Sequence, residues 1–292
     1  MKSIVAKMGA VISMLAFLAV QAIAQPADNK PSQKPTTGLS NLPSDNRTPI
    51  TYDQLRADDA LYVEKVWREI DIREKINQTF RYEAVDDKGS QLFINILLNA
   101  VEKDSLQAFS DERFTTLMKP AEILEKTQGK EEKLPVYNKD KIDVIDSFVV
   151  TRADFDPKTV TKFRLLEEWI FDKQGSRLRT RIIGIAPLKT EYLPNGQERS
   201  GSSVLFWVYY PDLRPTLAKS QVYNPKNMSP SRMTWDELFE SRLFSSYIVK
   251  STLDNSSNKT IRAYIKDSRM ALLEGENIKE KIANYEQDMW SY

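Results

Sequence analysis

Cysteine and histidine are both absent from the 292 residues, and the two absences remove most familiar site chemistry. Without cysteine there is no disulfide, no thiolate metal site and no lipid-acceptor residue behind an N-terminal leader. Stability must come from the core. Without histidine the commonest general base is missing, and with it the Ser-His-Asp and Cys-His constellations and the usual zinc, copper and non-haem iron ligand sets. Net charge is also nearly missing: 42 basic against 41 acidic side chains leave +1, so no global field draws nucleic acid or a membrane surface to the chain. No P-loop, dinucleotide fingerprint, nucleophile elbow or EF-hand occurs. The conspicuous acid pairs, Asp58-Asp59, Asp86-Asp87, Glu131-Glu132 and Glu167-Glu168, are neighbours in sequence. Neighbours point apart on a strand and 100° apart on a helix, which is not the opposed geometry that glycoside cleavage needs. A protein without catalytic residue, metal or cofactor is expected.

Long apolar runs are scarce as well. One stands at the start, Met8 to Val20, preceded by Lys2 and Lys7 and followed by Ala22-Ile23-Ala24. That order reads as a secretory signal peptide over residues 1–24, cleaved between Ala24 and Gln25. Its length of thirteen residues falls short of the roughly 20 that cross a bilayer, and no second stretch follows, so no direct membrane span is expected. Removal of the leader takes the basic count from 42 to 40 against 41 acids. Residues 25–49 hold five of the fourteen prolines and almost no large apolar side chain, the composition of a disordered tether.

What the chain has in quantity is strand-like sequence between Lys162 and Asp212. Phe163, Leu165, Trp169 and Phe171 alternate with Arg164, Glu168 and Asp172, and only Glu167 breaks the pattern. The four-residue loop Lys173-Gln174-Gly175-Ser176 predicts a hairpin that sets Asp172 opposite Arg177, Ile170 opposite Arg179 and Glu168 opposite Arg181. Val204 to Tyr210 is apolar throughout, as a strand covered on both faces requires, and Pro211 and Pro215 stop it. The expected fold is α+β, a mainly antiparallel sheet with strands near 142–150, 162–172, 177–186 and 204–210, packed with several helices.

Around the sheet the organisation reads as a mainly helical part over 50–126 and a sheet-containing part over 141–267, together one compact unit. Thr51 with Gln54 and Thr234 with Glu237 both spell a capping box. Helices are predicted from 60 to 80, where Tyr62, Val63, Val66, Trp67 and Ile70 recur at helical spacing, and over 92–101, 111–124 and 234–248, the last with Leu238, Phe239, Leu243 and Phe244 inside. The polar stretch 127–140 reads as a loop and boundary. In 268–292, Ile278, Ile282, Tyr285 and Met289 fall at i, i+4, i+7 and i+11, making an amphipathic helix behind a hinge at Gly275. Such a helix docks on a partner or on its own sheet, and sequence leaves both open. Asp71, Arg73, Glu74 and Lys75 crowd four charges among three isoleucines, so they join Ile278, Ile282, Tyr285 and Met289 as candidate interface residues.

Two readings of function survive. One is a periplasmic carbohydrate- or peptide-binding module, whose exposed Trp and Tyr would stack on ligand. The other rests on a resemblance. The segments Trp67-Arg68-Glu69-Ile70-Asp71-Ile72-Arg73-Glu74-Lys75-Ile76-Asn77, Phe206-Trp207-Val208-Tyr209-Tyr210-Pro211-Asp212-Leu213-Arg214, Tyr223-Asn224-Pro225-Lys226-Asn227 and Arg242-Leu243-Phe244-Ser245-Ser246-Tyr247-Ile248 resemble the GldN/PorN family, gliding motility protein N of the Bacteroidetes and its counterpart in type IX secretion. The resemblance runs from about Thr51 to Ile265. It implies a periplasmic structural component that self-associates into rings with a GldK/PorK-like lipoprotein, contacts a GldM/PorM-like motor protein, and is held peripherally at the outer membrane by the lipoprotein. It implies no cofactor and no nucleic acid.

Overall fold

The computed structural model describes residues 47–53, 55–82, 85–86, 89–103, 105–128, 132–137, 145–151, 155–190, 201–222 and 233–290. Its strands are β1 (Ala60–Asp71), β2 (Val85–Asp86), β3 (Gly89–Ser90), β4 (Ala108–Phe109), β5 (Glu132–Tyr137), β6 (Ile145–Thr151), β7 (Val160–Asp172), β8 (Arg177–Lys189), β9 (Ser203–Val204), β10 (Trp207–Tyr209) and β11 (Tyr247–Ser251). Its helices are α1 (Phe93–Glu102), α2 (Pro120–Gln128), α3 (Tyr210–Lys219), α4 (Trp235–Glu240), α5 (Ile261–Tyr264) and α6 (Ser268–Trp290). The signal cleavage at Ala24 and Gln25, the leader up to residue 46, and Tyr223 to Asn227 lie outside the described residues.

The alternation in β7 and β8 does what it predicts. They form a hairpin with Asp172 opposite Arg177, Ile170 opposite Arg179 and Glu168 opposite Arg181. Ser176 takes a left-handed φ of 46° to close the turn, and the Asp172 carboxylate accepts from the Gln174 N–H at 3.0 Å and from Arg179 Nε at 2.9 Å. The hairpin lies inside a seven-stranded sheet in the order β11-β1-β7-β8-β10-β4, with β9 on β8, and every pairing is antiparallel. The class is α+β. Among the described residues β2–β3 and β5–β6 pair only as separate two-stranded sheets.

β1 corrects the helix expected over 60–80. The strand runs beside β7 from Ala60 opposite Asp172 to Asp71 opposite Lys162, and a short 3-10 turn, Lys75–Phe80, follows. Val66, Trp67 and Ile70 are all buried because cover lies on both faces of the sheet there. A strand covered on both faces loses its alternation, and the residue of pattern that was left imitated a helix.

One face carries the main core. Phe163 and Leu165 meet Phe80, Phe93 of α1 and Trp235 and Phe239 of α4, whose rings pack at centroid distances of 4.9 to 6.4 Å. Farther along, α6 covers Val66, Trp169 and Ile248. The opposite face holds a smaller cluster of Trp67, Leu166, Ala186 and Trp207, onto which Phe109 and Phe114 pack. Glu167, the exception to the alternation, points into the covered side and is fully buried; both its oxygens accept from Arg242 and one from Trp169 Nε1.

Local chemistry accounts for the other departures. Asp111 to Thr116 is a turn instead of the start of a helix, because the Asp111 carboxylate accepts from the Thr115 and Thr116 N–H groups and the Thr115 hydroxyl; such side-chain bonds compete with helix. The stretch 127–140 is no plain loop, since it finishes α2 and contains β5. β5 pairs with β6, so the strand expected near 142–150 does not join the central sheet. Val204 to Tyr210 splits into β9 and β10, and Tyr210 opens α3 with Pro211 in its first turn, where proline suits a helix. The capping box at Thr234 and Glu237 forms, but α4 ends at Glu240 and Arg242 turns at φ 52°, so Ile248 belongs to β11 and Leu243 is exposed. Gln54 lies outside the described residues, and no helix starts at Thr51 among those described: the Ile50 N–H donates to Asp236 and its carbonyl accepts from Arg214, which draws residues 50–53 into an irregular segment.

Candidate assembly surface

Ile70 and Ile72 are drawn into the core, which forces the charges between and after them outward. The turn is pinned by Asn77, fully buried, which donates from Nδ2 to the carbonyls of Asp71 and Ser245 at 2.9 Å each and accepts from the Ser245 N–H at 2.8 Å. Asp71 grips Arg73 through Oδ2 and Nη2 at 2.6 Å and Oδ1 and Nε at 2.9 Å. Burial works to raise the Asp71 carboxyl, and the Arg73 hydrogen bonds and charge outweigh it, holding that carboxyl below its usual range. Arg73, Lys75 and Ile76 stand exposed at the tip and Glu74 is half-buried.

Beside this turn lies a cleft of 560 Å³ that brings Glu69, Glu74, Lys162, Arg164 and Tyr247 together with Arg262 and Leu272 from the far end of the chain. At its base Glu69 is buried and held by Arg164 at 2.6 Å, Lys162 at 3.8 Å and the Tyr247 hydroxyl at 3.0 Å. Burial first, and the neighbouring Glu69 carboxylate second, push the Tyr247 hydroxyl well above the ordinary phenol range. Glu69 in the cleft is therefore the centre of an internally satisfied charge cluster.

α6 carries the apolar stripe expected of it. Ile278 and Ile282 are buried against Val66, Trp169 and Ile248, and Tyr285, 44 % exposed, packs its ring 4.4 Å from that of Tyr62. The stripe thus faces the chain's own sheet. The side chain of Met289 lies outside the described residues. Gly275 is no hinge; it sits within the helix, and a Cβ there would meet the Ile248 carbonyl oxygen at 3.0 Å, so the glycine lets α6 approach β11 closely. Besides Tyr285, the large apolar side chains exposed on α6 are Met270, Leu272 and Leu273, upstream of the predicted stripe, and Tyr264 at the end of α5 is exposed as well. Their signal in the sequence was Ala271 in line with Ile278 and Ile282, which leaves 270, 272 and 273 off the buried side.

Three of the resembling segments, those beginning at Trp67, Phe206 and Arg242, make contact with one another. Arg68 donates from Nε to the Ser246 hydroxyl and from Nη2 to the Ser246 carbonyl, both at 2.9 Å, so the first segment is bolted to the last, and Trp67 and Trp207 share one cluster. The family model of the gliding motility associated protein GldN matches residues 55–291. The chain belongs to the GldN family. No curated protein matches it. The GldN match spans the whole sheet and continues through α6. Membership makes the chain a structural component of the gliding motility and type IX secretion machinery. No helix among the described residues is long and apolar enough to cross a membrane.

Proposed function

We propose that this GldN-family chain is a non-enzymatic periplasmic scaffold of the type IX secretion and gliding machinery. It forms rings with a GldK/PorK-like outer-membrane lipoprotein and contacts a GldM/PorM-like motor protein of the inner membrane. The observation that carries this is the family match over 55–291, which takes in every element of the sheet. Two others support it. The charged tip of Asp71, Arg73, Glu74 and Lys75 adjoins a cleft whose far rim bears the exposed Leu272, a charged and apolar mixture suited to a subunit contact. The leader over residues 1–24 has no lipid-acceptor cysteine, which suits a protein held at the outer membrane by a lipidated partner. Fractionation by osmotic shock with N-terminal sequencing tests the compartment: the protein should be released with Gln25 as its first residue. Recovery in the membrane with Met1 to Ala24 attached would contradict it. A tagged copy should co-purify the lipoprotein and the motor protein.

A further inference from the structure

Residues 47–53 have no regular structure, yet groups far away in sequence hold Ile50, Tyr52 and Asp53 in place. Arg214 donates from Nη2 to the Ile50 carbonyl at 2.6 Å while the Ile50 N–H donates to Asp236 Oδ2 at 3.1 Å. The Tyr52 ring lies between two guanidinium groups, 4.2 Å from Arg214 and 4.7 Å from Arg181, and its hydroxyl donates to Glu240 at 2.6 Å. Asp53 accepts on its carboxylate from Arg179 at 2.7 Å and on its carbonyl from Arg181 Nη2 at 2.6 Å. A cleft of 440 Å³ beside Tyr52 stays open between β7–β8 and α3. Main-chain hydrogen bonds to one residue and side-chain seats for the next are the means by which proteins read an extended peptide. An aromatic ring sandwiched by two arginines adds cation–π attraction, and arginines are suited to fork onto a carboxylate.

We propose that this groove is a recognition site for an extended Ile-x-Tyr-Asp segment, and that in the assembly the segment comes from a second copy of the chain, each arm seated in its neighbour's groove. The second half rests on the assembly function above. The chain's own arm fills the groove here, and a second copy fits it equally because it carries the same segment, so exchange replaces each contact with an identical one at little cost. Charge agrees: Asp53 is the arm's acid, and Arg177, Arg179 and Arg181 stand in a row on β8 to receive it. Reach agrees too, since a six-residue linker between Asp53 and β1 can extend to about 20 Å once the 3-10 turn Ala57–Asp59 opens. Neighbours held in one assembly meet at high effective concentration.

Two full-length variants test this. Tyr52→Ala with Asp53→Ala strips the arm, and Arg179→Ala with Arg181→Ala disables the groove. A fluorescent peptide of residues 47–56 should saturate the arm variant, bind the wild type about tenfold or more weakly because the resident arm competes, and fail on the groove variant. Mixed together, the two variants should give a species of doubled mass by light scattering that neither forms alone, because the one intact arm and the one intact groove lie on different chains. No peptide binding to an arm variant that keeps its melting midpoint overturns the site. Peptide binding without the mixed species overturns the exchange. Asp53→Ala alone, at a side chain 69 % exposed, takes the place of the arm variant if the double substitution does not fold. Both readouts use the isolated chain, so failure to assemble with the lipoprotein would count against the assembly function and leave the groove untouched.

Discussion

Glu167 has no accessible surface, and its charge is met by Arg242 Nη2 at 2.9 and 3.0 Å and by Trp169 Nε1 at 2.9 Å. Removing one member of such a pair strands the other in a low dielectric, so Arg242→Ala should cost about 3–5 kcal/mol in urea unfolding, whereas an apolar replacement of both should cost far less. The break that Glu167 makes in the β7 alternation was legible in the sequence. Its partner, 75 residues away, was not, because only the tertiary fold brings β7 and the α4–β11 turn together. Asp111 is the local counterpart. The N–H of Thr116 foremost, then the Thr115 hydroxyl, hold its carboxyl at about 2, below the ordinary value near 3.9. A depressed carboxylate stabilises the fold above its unfolded value and loses that contribution as pH falls through the folded one. The amide chemical shifts of Thr115 and Thr116 should therefore titrate with a midpoint near 2; a midpoint near 4 would show the turn is not formed. At the exposed tip, Arg73→Glu breaks an ion pair of the kind worth about 1 kcal/mol or less. It should leave the melting temperature within a few degrees and weaken assembly; equal loss of both would place the charges in the chain's own fold.

At the scale of elements, the β7–β8 hairpin and α6 were readable because each obeys one period over many residues, with a turn or a stripe that fixes the rest. β1 was not, since cover on both faces erases the period of two, and β5 was hidden in a polar stretch that only pairing with β6 turns into strand. The capping box at Thr234 gave the start of α4, but nothing local marks its end at Glu240 except the left-handed Arg242. α6 supplies the sharpest test at this scale. Ile278 and Ile282 are almost fully buried on the sheet, so truncating either to Ala should cost about 2–5 kcal/mol, and deleting 278–292 should lower the melting midpoint by many degrees. An unchanged midpoint would show that the helix does not belong to this core. Gly275→Val should destabilise by about 1–3 kcal/mol, because the added bulk pushes α6 off the Ile248 carbonyl.

At the largest scale, the described residues are organised around a seven-stranded sheet whose parts do different work. The main aromatic core sits under β7, the C-terminal helix closes the β11 side, and two of the segments that resemble the GldN family, Trp67–Asn77 and Arg242–Ile248, meet where β1 and β11 are bolted together through Arg68, Ser246, Asn77 and Ser245. That junction holds the charged tip rigidly beside the cleft, which is what a scaffold subunit needs if register between copies is to be set by charge. The central claim is that the chain works as part of an assembly with a lipoprotein, and the mass of the native complex tests it most directly. The chain and the GldK/PorK-like lipoprotein are co-expressed, extracted in mild detergent and weighed by native electrophoresis or light scattering. The account predicts large particles that contain many copies of both proteins. Recovery of the chain as a monomer, with the lipoprotein migrating apart from it, would contradict the account.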